Sequence, residues 1–198
     1  MNTLVPETPL HWALFHSLES DLIEISRNIE FCEKHYHVYS VELTRLLLSI
    51  GAEVDSVAKE LCRIIDHKKK PKDIDKYREI ITSEWPKLYD VTVCFSRYNL
   101  KFQPWKNWKN NDSPQWWKDH NKVKHERSKN YDKANLGNVL EGLAGLFCLC
   151  CYLYKNKLSK GAISPAANIL YFDEPFTYAM CVTEIGTFTT SIEFPPQS

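Results

Sequence analysis

Seven residues constrain this chain most: Leu43, Leu47, Ile50, Val54, Val57, Leu61 and Ile64 recur in strict four–three alternation. Side chains three and four apart share one helix face. A stripe of this period packs against neighbouring helices at shallow crossing angles. The spacing predicts one long helix, capped by Ser40 and closed after the run HKKKPK, His67 to Lys72, in which Pro71 stops it. Lysines at a helix C-terminus complement its dipole, so this cluster reads as a solvated end rather than a binding patch.

Further stripes place further helices around it. Thr8-Pro9 has the form of a capping hydroxyl followed by proline at the first helical position. Phe15, Leu18, Leu22, Ile25, Ile29 and Cys32 then predict a helix to about Lys34. A short helix is expected from Asp73 to Glu84, closed by Pro86. Ser113-Pro114 repeats the cap-then-proline start before QWWKDHNKVKHERSKNY. A last helix is expected over Lys133–Lys155, striped by Leu136, Leu140, Leu143, Phe147, Cys150 and Tyr154. Gly142 and Gly145 lie near that stripe and predict close approach of another helix or a face for self-association.

Between and after the helices the composition turns to β-formers. VTVCFSRYNLKF, Val91 to Phe102, reads as one or two strands with a turn near Asn99. The stretch 104–113 reads as a loop. TYAMCVTEI and TFTTSIEF flank Gly186 as a hairpin and are expected to pair with the 91–102 strands. The fold expectation is therefore mainly α: an antiparallel helical bundle of four to five helices with a small β appendage, its strands near 91–102 and 178–194. A chain of 198 residues buries enough surface for one core, so residues 1–198 are read as a single domain with 161–198 as a C-terminal extension.

Location follows from what the ends and cysteines look like. MNTLVPETPLHW lacks a signal peptide's basic start and long apolar run. The apolar run Leu143–Tyr154 falls short of the roughly 20 residues a membrane span needs. The seven cysteines sit mostly among apolar neighbours, as buried thiols do. Together these predict a cytoplasmic protein with no membrane partner. Cys148 and Cys151 form a C-x-x-C, but on an apolar helix face and without further ligands, so no metal site is expected there. Cys32, His35 and His37 form only a loose cluster. Glu53, beside the Ile50–Val57 face, is placed to orient a histidine or to join a salt bridge between helices.

Charge is uneven although 25 acidic residues balance 25 basic ones overall. Residues 101–133 hold nine Lys or Arg against four Asp or Glu, and four of the six tryptophans. Cations that meet phosphates and rings that stack on bases suit single-stranded nucleic acid. The bland alternative is that the tryptophans pack the core and the lysines are a solvated face. On the helix wheel Trp117, Asn121, Lys124, His125 and Ser128 share one stripe, and Trp116, His120, Val123 and Arg127 the next. With Val123 inward, His125 falls at the rim beside Asn121. An imidazole exchanges protons near neutral pH. Lys118, Lys122 and Lys124 suit the charge of a pentavalent phosphorus. These are the parts of metal-independent RNA cleavage by internal 2′-hydroxyl attack, although a lone helical histidine more often bonds within its own bundle.

The string HNKVKHER, preceded by paired tryptophans and followed by a long leucine-rich helix, resembles the HEPN superfamily. The resemblance implies a helical bundle that dimerises. Its signature is an Arg, often followed by Asn, four to six residues before a His. Many members are ribonucleases of toxin–antitoxin and phage-defence systems in which the Arg and His of two subunits meet and no metal or other cofactor is needed. Others are binding or scaffolding modules without catalysis. Carried over, His125 is the acid–base residue and Asn121 positions substrate. The arginine is absent, and His120 or Lys118 stands at its possible spacings as charge stabiliser. Lys122, Lys124, Arg127, Trp116 and Trp117 are the expected RNA contacts, and a homodimer, RNA and an antitoxin or other protein the expected partners. A third reading places the binding face on the C-terminal hairpin, since residues 161–198 contain no Lys or Arg.

Overall fold

The computed structural model describes residues 6–182 and 188–196, and these are mainly helical with a few small antiparallel strands. Helix α2, Val41–Ile65, is the hub, in contact with α1 (Leu10–Ile25), α3 (Ile74–Glu84), α4 (Gln115–Asn130) and α5 (Leu136–Leu153). Ser40 caps α2, its hydroxyl accepting from the Leu43 amide at 3.1 Å. Asp73 caps α3 in the same way, accepting from Lys76 N at 2.9 Å. Leu43, Leu47, Ile50, Val54, Val57 and Leu61 are fully buried, as the alternation predicts. Ile64 is not: it is 63 % exposed, and Cys62 takes the buried position. A 3.5-residue repeat drifts about 20° per heptad against a straight helix. By the third heptad the stripe has rotated out of the interface.

α1 ends at Ile25, short of the expected Lys34. Ser26 Oγ donates to the Ile23 carbonyl at 2.6 Å, and serine and asparagine compete with helical bonding in this way. The chain then turns to bury Phe31, whose ring meets Tyr98 at 4.7 Å. Thr8 is not the cap. Its hydroxyl donates to Ser164 O at 2.5 Å, and Pro9 holds the N-cap position. Pro114 likewise displaces Ser113 as the N-cap of α4.

The strands are β1 (Val93–Phe95), β2 (Leu100–Phe102), β3 (Leu170–Phe172), β4 (Thr177–Val182) and β5 (Phe188–Glu193). β1 and β2 form the expected hairpin, with Asn99 at φ 53° in its turn. The partner of β1 on its other side is β3, whereas among the described residues β4 and β5 pair only with each other. The expected pairing of the late hairpin with strands 91–102 therefore gives way to a three-residue strand too short to signal itself. Gly186 and the rest of that hairpin's turn lie outside the described residues. Within the expected loop 104–113, Lys106–Asn110 forms a 3-10 turn ended by Asn111 at φ 56°.

α5 is the core helix, capped by Asn135, and is followed by the four-residue α6 (Lys155–Leu158). Among the described residues it is the one helix long and apolar enough to cross a membrane, and 78 % of it is buried inside the protein. Gly142 and Gly145 serve packing within the chain rather than self-association. A methyl at Gly145 would lie 3.1 Å from Trp116 Cζ2 and 3.3 Å from Trp105 Cζ2. Glu53, 7 % exposed, meets His11 Nδ1 at 2.6 Å and ties α2 to α1. Glu19, fully buried, accepts from the Asn168 and Ile169 amides and so holds the C-terminal extension against α1.

Candidate nucleic-acid interface

α4 is the least apolar of the long helices and is held by few residues. Trp116, Trp117, Asp119, His120 and Val123 face inward, and from Lys124 to Lys129 every residue is exposed. Trp116 is 0 % and Trp117 7 % exposed. Trp116 Nε1 donates to Pro104 O at 3.1 Å, and Trp105 Nε1 to Gly145 O at 3.3 Å. The rings run in close succession, Trp108 to Trp105 at 4.3 Å, Trp105 to Trp116 at 5.4 Å and Trp116 to Trp117 at 5.7 Å. The four tryptophans thus form one internal ladder. Trp116 and Trp117 present no open face to a base, which removes them from the expected RNA contacts.

His120 is also inside. It is 3 % exposed, lies tilted against the Trp117 ring at 5.2 Å and is pressed against the backbone of α2 at Gly51. A Cβ on Gly51 would fall 2.2 Å from His120 Nε2, so glycine is needed for the two helices to meet. Burial pushes the imidazole down to about 4, helped by the charge of Lys124; the side chain of Asn121 favours the charged ring but does not outweigh burial. His120 is neutral near pH 7, and among the described residues its Nδ1 has no hydrogen-bond partner. The charge-stabilising role expected of it fails for want of a charge and of access.

The remaining cations divide into spent and free. Lys118 pairs with Asp112 at 2.6 Å, at the far end of the helix from His125. Lys122 pairs at 3.0 Å with Asp119, which also accepts from Asn138 Nδ2 at 3.3 Å and so fastens α4 to α5. Lys129 pairs with Glu126. Among the described residues, Lys124 and Arg127 make no ion pair. They flank His125, which is exposed as its place at the rim predicts. The helix breaks immediately afterwards, with Glu126 at φ −145° and ψ 61° and its carbonyl accepting from Asn130 Nδ2 at 2.9 Å. Arg127 and Ser128 therefore leave the positions an unbroken helix would give them.

Past the break they line a groove of 860 Å³ whose other wall is α2. Val41 and Leu48 give it apolar lining, Arg45 and Arg127 carry charge to it, and Tyr131 adds a ring. Arg45 is held by Asp21 at 3.1 Å and Glu42 at 2.9 Å. Sequence reasoning missed Val41, Arg45 and Tyr131. The available signal was a second apolar line on α2: Val41 and Leu48 stand seven apart and off the main stripe, and Val41 is 70 % exposed. Among the described residues no group of three or more His, Cys, Asp and Glu is arranged to hold a metal ion. No family model matches this chain, and neither a curated protein nor a solved structure matches it.

Proposed function

We propose that the protein is a HEPN-like helical bundle that binds single-stranded RNA along the exposed end of α4 and cleaves it without a metal through His125. The observation that supports this best is an exposed imidazole adjacent in sequence to Lys124, with Arg127 two residues on in the lining of an open groove, neither cation making an ion pair among the described residues. Such cations neutralise phosphates and release the counterions condensed on the nucleic acid, and an exposed histidine can pass protons to and from a ribose hydroxyl. In this reading Arg127 and Lys124 carry the charge stabilisation that His120 and Lys118 are in no position to give. Two copies meet at their α4 ends, so that each site receives cations from its partner. A place in a toxin–antitoxin or phage-defence system follows from the HEPN resemblance alone.

The test is incubation of the pure protein with labelled RNA in the presence of a chelator. Cleavage that His125→Ala abolishes, while binding and melting temperature hold, supports the reading. Absence of both cleavage and binding at low salt ends it. A second reading, a non-catalytic interaction module of the same fold, is favoured by the burial of His120, which leaves the signature's cation position empty of charge. RNA binding without cleavage selects it.

A further inference from the structure

Glu141 is the one charged residue of α5, the most apolar helix of the protein. A carboxylate in such a place is normally tied down, and the buried ones here are. Glu19 accepts from Asn168 and Ile169, Glu53 pairs with His11, and Asp119 with Lys122. Among the described residues, the partly buried Glu141 carboxyl has no hydrogen bond or ion pair. Desolvation pushes it up to about 7, and the positive charge of Lys106 only partly offsets this.

The unengaged carboxyl stands where two clefts meet. One, of 320 Å³, contains Tyr36, Lys133 and Asn138; the other, of 350 Å³, contains Gln103 and Lys106. Phe102 and Glu141 belong to both. The Phe102 and Tyr36 rings lie 5.9 Å apart, inclined at 42°, and give the junction aromatic surface. A two-oxygen acceptor next to aromatic surface, with lysines at either side, matches how proteins hold a splayed-out base: ring against ring, polar edge on a side chain, phosphate on a cation.

We propose that this junction takes an unpaired guanine, the Glu141 carboxylate accepting from its N1–H and its exocyclic amine. Guanine alone among the standard bases offers two adjacent N–H donors on that edge. Adenine and cytosine place a ring acceptor beside their amine, and uracil sets its single N–H between two carbonyls. The inference rests on the proposed RNA binding and adds the base that is read.

Only the ionised carboxylate accepts both bonds, so guanine affinity rises with pH. From the value near 7, the ionised fraction changes about tenfold between pH 6 and pH 8, and the apparent affinity with it. The other titratable groups facing the junction are Tyr36, His37, Lys101, Lys106, Asp119 and Lys133. Lys101 is held by Asp173, Lys133 by Asp132 and Asp119 by Lys122, which among the described residues leaves Lys106 as the cation of the junction without an ion pair and able to meet phosphate.

Calorimetric titration of the full chain with 5′-GMP, 5′-AMP, 5′-CMP, 5′-UMP and 5′-IMP, which lacks the exocyclic amine, tests this. GMP should bind at least about tenfold more tightly than the others, as charge-assisted paired bonds imply. Glu141→Gln should remove the preference with the circular dichroism unchanged, and Lys106→Ala should weaken all five, GMP most, because loss of that cation also pushes the Glu141 carboxyl further up. No GMP binding, equal binding of all five, or a preference that survives Glu141→Gln overturns the inference. Failure of the RNA reading shows separately, as loss of oligonucleotide binding at low salt.

Discussion

His120 and Glu141 titrate out of place in opposite senses. The imidazole falls from 6.5 to about 4, and the carboxyl rises from 4.5 to about 7. The neutral His120 contributes stability that is present above pH 6.5 and lost as pH falls through about 4. The protonated Glu141 contributes stability that is full below pH 4.5 and lost as pH rises through about 7. Between pH 4.5 and 6.5 the unfolded chain holds a proton on His120 that the native state lacks, and the native state holds one on Glu141 that the unfolded chain lacks. Each slope is on the order of 1.4 kcal/mol per pH unit, and they cancel. Glu141→Gln should unmask stability that climbs with pH across this window, and His120→Leu stability that declines. Urea unfolding at three pH values measures both. Variants whose profiles parallel the parent's mean that one of the two groups is solvated.

Where α4 crosses α2, one hydrogen in place of a side chain decides the spacing. Gly51→Ala puts a methyl 2.2 Å from His120 Nε2, a ring that also meets Trp117 at 5.2 Å. Overpacking of this kind costs roughly 1–3 kcal/mol. Adding His120→Ala should return most of it, a coupling that a double-mutant cycle in denaturant reads directly. Additive losses would mean that the ring and Gly51 do not touch. The same elements show what the chain discloses about itself. The α2 stripe is legible because its burial is nearly one-sided, and Ser40 reads as a cap because it directly precedes the helix it caps, whereas Asp73, expected as the first residue of its helix, is the cap of α3. Thr8 and Ser113 mislead because the proline after each takes the cap position itself. The break at Glu126 has no glycine or proline to announce it, and β3 is shorter than any period that would reveal it.

Across the whole molecule the candidate site is half legible. His125 could be placed at the rim because Val123, two residues earlier, fixes the inward side of α4. The tryptophans could not be placed, because a ring beside lysines has the same composition whether it faces a base or the core. Glu141 left no trace beyond being a single charge in an apolar helix, and its two clefts exist only where β2, α4 and α5 come together. What remains exposed is a short, unpaired cationic surface on a chain of zero net charge, so any pull on nucleic acid must be local. Each phosphate contact removed from a single-stranded complex lowers the slope of log affinity against log salt by about 0.7.

The decisive measurement is therefore fluorescence polarisation of a labelled single-stranded RNA at several salt concentrations, for the parent and for Lys124→Ala/Arg127→Ala. Binding should weaken steeply with salt in the parent, and the double variant should lose about 1.4 units of that slope. RNA that is ignored at low salt, or bound with the same slope by both proteins, would remove α4 as the binding surface and the function built on it.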